Sequence, residues 1–125
     1  MAKAQSDKIK TYRDLLVWQK AMALVTEVYR LSKSFPTDEV YGLTAQIRRC
    51  AISIPSNIAE GYGRKATSDY IRFLRIGIGS LYELQTQIEI SLNLGYLKQN
   101  AFDVLYESSR EIERMLSSLI KKLEN

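Results

Sequence analysis

Glu60, with Glu83 and Glu89 on a separate helical segment, is the best carboxylate set in this sequence for general acid–base chemistry. A glutamate on a helix surface is ordinarily just solvated. The chain contains no histidine, which removes the usual neutral-pH base and the common metal-ligating triads. Its single cysteine, Cys50, can complete neither a zinc nor an iron–sulfur site, and its setting among Ile47, Ala51 and Ile54 marks it as a small buried hydrophobe. Gly61-Tyr-Gly63 and Gly77-Ile-Gly79 lack the spacing of a phosphate-binding loop and follow no strand. The expectation is a non-enzymatic protein without a metal or a cofactor.

The other chemistry open to the chain is electrostatic. The formal charge of +4 is unevenly placed: residues 1–75 carry thirteen Lys/Arg against seven Asp/Glu, and residues 76–125 carry five against seven. Arg48, Arg49, Arg64, Lys65, Arg72 and Arg75 gather around the second predicted helix and the start of the third. One reading makes them ordinary solubilising charges. The other makes them a phosphate-binding patch, repeated in every subunit of an oligomer so that weak contacts add. Tyr62 and Tyr82 could stack on bases, although tyrosines in bundles more often lie half-buried.

Helical elements must position these groups. Residues 1–10 are polar and mixed in charge, which predicts a flexible tail, no membrane anchor and a cytoplasmic location. Residues 11–125 read as one all-α domain, an up-down-up-down antiparallel four-helix bundle, because four long amphipathic segments are joined by short loops. Thr11 and Asp14 cap the first helix. Two apolar stripes follow: Leu15, Trp18, Met22, Val25 and Tyr29, and beside them Val17, Ala21, Leu24, Val28 and Leu31. Helix two begins near Asp38, with Thr37 as its cap, and reaches about Arg64 on a core stripe of Leu43, Ile47, Ala51, Ile54 and Ile58. Pro55 removes a backbone donor and crowds the Ala51 carbonyl, predicting a kink or a short break near Ser53–Ser56.

Thr67 or Ser68 caps helix three, whose stripe runs Tyr70, Leu74, Gly77, Leu81, Leu84, Ile88 and Leu92 to a left-handed cap at Gly95. Asn100 with Asp103 opens helix four, with Ala101, Leu105, Ser109, Ile112, Leu116, Leu119 and Leu123 inward. A single core covers one arc of helix one, so the spare stripe, around Trp18 or Leu24, is expected between subunits of a homo-oligomer.

A polar face also recurs on helix two through Gln46, Arg49, Ser53, Asn57, Glu60 and Arg64. It is either a solvated face or a hydrogen-bonding seam to another helix or subunit, and serine and asparagine inside a helix favour the seam. Gly77 and Gly79 carry a helix-propensity cost that close approach of another backbone would offset.

Several of these residues carry a resemblance. Leu16-Val-Trp-Gln-Lys20, Phe35-Pro36 with Glu39 and Tyr41-Gly-Leu43, Gln46-Ile-Arg-Arg49, Ser53-Ile-Pro-Ser-Asn-Ile-Ala-Glu-Gly61 with Arg64, Gly79-Ser-Leu-Tyr-Glu83 and Met115-Leu116 occur in one order from about Tyr12 to Leu123. In this the chain resembles the four-helix bundle proteins of bacterial 23S rRNA intervening sequences. That family is similar in fold to the accessory variability determinant of diversity-generating retroelements, a ring-forming bundle that associates with a reverse transcriptase and nucleic acid. The resemblance implies a homo-oligomer, a pentamer, with a positively charged surface. It implies as partners RNA or DNA and a reverse transcriptase or a ribosomal component, and it implies no established activity. A protein-interaction module without nucleic-acid binding is the alternative.

Overall fold

The computed structural model describes residues 9–125, so the expected tail over residues 1–10 falls mostly outside the described residues. At the start of the described chain the Thr11 and Asp14 side chains close a capping box. Thr11 Oγ1 accepts from the Arg13 N–H at 3.2 Å, and Asp14 Oδ2 accepts from the N–H groups of Lys10 at 2.9 Å and Thr11 at 3.2 Å. Those two backbone donors hold the Asp14 carboxyl below its ordinary range. What they cap is a single 3-10 turn, Tyr12–Asp14. Leu15 is extended, and α1 then runs Leu16–Ser32.

The start of α2, Leu43–Tyr62, also lies later than Asp38. Pro36 leads into a 3-10 turn at Thr37–Glu39, and Glu39 Oε1 accepts the Leu43 N–H at 3.1 Å, so Glu39 rather than Thr37 satisfies the first turn. The helix passes through Pro55 without the short break allowed for at Ser53–Ser56. Ile54 and Ile58, both wholly buried, anchor the chain on either side of the proline, and tertiary packing outweighs the one lost backbone bond.

α3 spans Thr67–Asn93 and α4 spans Gln99–Glu124. Neither begins with the expected side-chain cap: Ala66 and Lys98 occupy the cap positions, and Asn100 Oδ1 accepts from the adjacent Ala101 N–H. Between them Gly95 takes φ +79°, as a left-handed helix end requires, and the Tyr96 N–H returns to the Ser91 carbonyl at 2.8 Å.

The four helices pack α1 on α2, α2 on α3, α3 on α4 and α4 on α1. Each neighbour runs antiparallel. Arg75 meets Glu124 while Tyr82 and Gln85 meet Glu113 further along, and Ser53 meets Ser80 while Gly61 lies against Phe73. The inner stripes follow the expected periods, with Ile47, Ala51, Ile54 and Ile58 facing Leu74, Leu81, Leu84, Ile88, Leu105, Ile112 and Leu116. On α4 it is Ile120 rather than Leu119 that is fully enclosed.

On α1 the core takes Val17, Ala21, Leu24 and Val28. Leu24 is 2% exposed, which removes it from any subunit interface, and leaves the Trp18, Met22 and Val25 stripe as the spare one. No helix among the described residues is long and apolar enough to cross a membrane.

Candidate nucleic-acid interface

Because neighbours are antiparallel, one end of the bundle gathers the start of α1, the end of α2, the start of α3 and the end of α4. It carries Lys10, Arg13, Arg64, Lys65, Arg72, Arg75, Lys121 and Lys122 against Asp14, Glu60, Asp69 and Glu124. The opposite end sets Arg30, Lys33, Arg48, Arg49 and Lys98 against Glu27, Asp38, Glu39, Glu89, Asp103 and Glu107. The sequence asymmetry thus becomes a spatial one, a basic end and a balanced end.

At the centre of the basic end stands Phe73. The guanidinium carbons of Arg64 and Arg72 lie 4.7 and 4.6 Å from its ring centroid. Arg64 Nη2 also meets Glu60 at 2.7 Å, Arg75 Nη2 meets Glu124 at 2.7 Å, and Arg72 lies 3.9 Å from Asp69. All of these pairs are solvent-exposed, the setting in which an ion pair contributes at most about 1 kcal/mol. A phosphate can displace such carboxylates, because it offers each guanidinium two acceptor oxygens and more charge. Lys65 is exposed in the turn between α2 and α3.

The turn itself depends on Gly61. A Cβ there would lie 2.8 Å from Phe73 Cβ, 3.1 Å from Tyr70 Cδ1 and 3.2 Å from the Tyr70 carbonyl. The absent side chain lets α2 and α3 meet closely enough to set Arg64 over Phe73. Tyr62 packs edge-on against Tyr70 with centroids 6.0 Å apart, and burial, with Tyr62 beside it, pushes the Tyr70 hydroxyl up to about 12. Tyr62 is therefore partly enclosed, whereas Tyr82 is exposed on α3 and donates its hydroxyl to Glu113 at 3.3 Å.

The two adjacent arginines of α2 part company. Arg48 turns to the end of α1, where its guanidinium sits 4.6 Å from the Tyr29 ring centroid, Nε donates to Ser32 Oγ at 2.8 Å and Nη2 donates to the Tyr29 carbonyl at 3.3 Å. It ties two helices together and lies at the balanced end. Arg49, one position on, is exposed above the groove between α2 and α3. Of the predicted basic residues, the fold brings Arg64, Lys65, Arg72 and Arg75 together and leaves Arg48 and Arg49 elsewhere.

The polar face of α2 is a seam within the chain. Ser53 Oγ and Ser80 Oγ share a hydrogen bond at 2.8 Å, Asn57 Nδ2 donates to the Ser53 hydroxyl at 3.0 Å and to its carbonyl at 2.8 Å, and Cys50 Sγ donates to the Ser80 carbonyl at 3.0 Å. Burial, and after it the charge of Glu83, pushes the Cys50 thiol up to about 12. Above the seam a groove of about 350 Å³ is lined by Gln46, Arg49, Cys50, Ser53, Ser80, Glu83 and Gln87. Glu60 is not part of it and pairs with Arg64 on the surface, while Glu89 is exposed further along α3.

Within the chain, neither glycine of α3 makes a close backbone approach. A Cβ on Gly77 would meet Leu116 Cδ1 at an ordinary 3.6 Å, and one on Gly79 would meet nothing within 4 Å. The spare stripe of α1 lines an apolar groove of about 310 Å³ with Tyr12, Trp18, Met22 and Val25 on one wall and Ile52, Pro55, Ser56 and Ala59 of α2 on the other. Sequence reasoning passed over Phe73, Ser80, Gln87 and the packing role of Gly61. Phe73 carried a signal, an aromatic beside an arginine and just off the core stripe of its helix.

A family described as 23S rRNA-intervening sequence protein matches residues 13–118. A solved structure of a protein with unknown function from the S23 ribosomal protein family of Bacteroides thetaiotaomicron is 26% identical to the chain. The two share a TM-score of 0.77, over 85% of this chain and 96% of that one. Comparison with curated proteins gives no match. The matched span opens in the capped turn, takes in α1, α2 and α3 and runs through α4 as far as Ser118, and on that extent the chain belongs to the 23S rRNA-intervening sequence protein family.

Proposed function

We propose that this protein is a non-enzymatic, cytoplasmic, homo-oligomeric adaptor that holds RNA, alone or within a protein–RNA complex, by its phosphate backbone. The observation that carries this reading is the cluster at the turn between α2 and α3, where Arg64 and Arg72 stack on Phe73 beside Lys65 and Arg75. Cations held on a rigid aromatic keep their charge and lose little further freedom when a phosphate arrives. The name of its family supports RNA as the nucleic acid, and a ring of five copies, which the resemblance implies, would multiply weak contacts. Self-association is supported by the apolar groove around Trp18, Met22 and Ile52, with Met22 and Ile52 each 42% exposed.

The test is a salt titration of RNA and duplex DNA binding by the wild type and by Arg72→Gln with Arg75→Gln, with oligomer mass checked by light scattering. Every phosphate that loses its cation should flatten the log-affinity against log-salt slope by roughly 0.7 to 0.9. Equal slopes would clear these arginines, and no binding at low salt would defeat the nucleic-acid reading. A protein-interaction module is the second reading. It is favoured by the carboxylate partners that Arg64, Arg72 and Arg75 already possess, which suit charges that only keep the protein soluble.

A further inference from the structure

The groove between α2 and α3 has polar capacity that the fold does not use. Its floor is complete, since the hydroxyls of Ser53 and Ser80 bond each other and Cys50 donates to the Ser80 carbonyl. Its walls are not. Arg49 on α2 and Glu83 on α3 both line it, both are exposed, and neither makes an ion pair with the other or with any other described residue. Two opposite charges that line one groove and pair with no described residue can be met together by a ligand that offers an acceptor to one and a donor to the other.

A simple anion would meet Glu83 and a simple cation would meet Arg49. A ligand that suits both offers acceptors to a guanidinium on one edge and N–H donors to a carboxylate on another. We propose that the groove is a binding site for a guanine base, with Arg49 donating to O6 and N7 and with Glu83 accepting from N1–H and the 2-amino group. Arginine against O6 and N7 is the commonest specific guanine contact, and unstacked bases of single strands are read on both of these edges. Adenine lacks O6 and carries an acceptor at N1, where Glu83 needs a donor. The groove, at about 350 Å³, is at the small end of ligand sites and suits a base rather than a larger body.

The assignment deepens the RNA reading and rests on it for the strand that would deliver the base. Arg49 lies thirteen positions before the end of α2 at Tyr62, roughly 20 Å of rise, and Arg64 lies two residues beyond that end. A single strand lying along the joint of α2 and α3 would set phosphates at the basic end and a base in the groove. The same base chemistry is available from a free guanine nucleotide.

The test measures binding of a uridine decamer carrying one central guanosine, and of the same decamer carrying adenosine there, by fluorescence anisotropy. Calorimetry with guanosine and adenosine monophosphates separates the two sources of the base. The wild type is expected to prefer the guanosine decamer by about tenfold or more. Glu83→Gln and Arg49→Gln, both surface substitutions, should abolish that preference, so that each variant binds the two decamers equally. Arg72→Gln with Arg75→Gln should weaken both decamers equally and keep the preference.

Equal binding of the two decamers, with no preference for the guanine mononucleotide, would overturn the base site and leave RNA binding standing. Failure to bind either decamer would defeat RNA binding. A guanine mononucleotide preference lost in Glu83→Gln would then still uphold the groove, and its absence would overturn that too. Glu83→Gln that changed oligomer mass by light scattering, with guanine preference intact, would assign the groove to a subunit contact and overturn the proposal.

Discussion

Both ends of the bundle stack an arginine on an aromatic ring, and the two contacts do different work. At the balanced end Arg48 lies over Tyr29, but it is also bonded to the Ser32 hydroxyl and the Tyr29 carbonyl, and its guanidinium is part of the joint between α1 and α2. At the basic end Arg64 and Arg72 lie over Phe73 with only exposed carboxylates for further company. Ring distances differ by about 0.1 Å among the three, so the cation–π contact does not separate them. The remaining partners do: backbone and hydroxyl oxygens inside a helix joint cannot be replaced by solvent at no cost, whereas surface carboxylates can.

Substituting the glycine that lets the basic end close should have the largest effect. Gly61→Val is expected to cost about 3 kcal/mol in urea unfolding, because its side chain would collide with Phe73 and Tyr70 and overpacking of this kind is not relieved by a flexible neighbour. A loss below about 1 kcal/mol would show that α2 and α3 separate easily, and the basic end would then not be a rigid platform.

Arg48→Ala should come next, at about 2 kcal/mol, since it removes the donor to the Ser32 hydroxyl, leaves the Tyr29 carbonyl with Ser32 as its side-chain donor, and empties the face of Tyr29. Arg72→Gln with Arg75→Gln should stay within about 0.5 kcal/mol of the wild type in the same measurement. Comparable losses for the two ends would erase the distinction between a structural and a surface arginine.

The smallest expected effect is one of pH. Tyr96 donates its hydroxyl to Glu39 Oε2 at 3.0 Å, and that bond raises the phenol above its ordinary value of 10.0. A raised folded value stabilises the fold below the ordinary one and loses that contribution as pH rises through the folded one. Tyr96→Phe should therefore differ from the wild type in thermal unfolding at neutral pH and converge with it above about pH 10. A constant gap at every pH would show that the Glu39 contact contributes through packing alone.

Much of this arrangement was legible in advance. The helix count and the inner faces of α2 and α3 follow from spacing that a helix of 3.6 residues per turn imposes, the antiparallel order from short loops, and the Thr11–Asp14 capping box and left-handed Gly95 from the residue types at helix ends. The polar run of α2 also announced a seam, which Ser53 and Ser80 complete. Helix starts were less legible, because Glu39 and the extended Leu15 compete with the residues that normally cap.

What the sequence determined by itself was periodicity and charge: four amphipathic helices with most of their positive charge in the first three-fifths of the chain. Which of two neighbouring stripes on α1 enters the core, whether Arg48 or Arg49 faces a partner helix, and which glycine lies at a close crossing were decided only by tertiary packing. Successive residues on a helix point about 100° apart, so each choice depends on where the next helix lies. Leu24 went inward and Trp18 stayed at the groove because α4 covers one side of α1 and α2 the other. Gly61 rather than Gly77 or Gly79 lies where a side chain would collide, because the close approach of α2 to α3 falls at their turn.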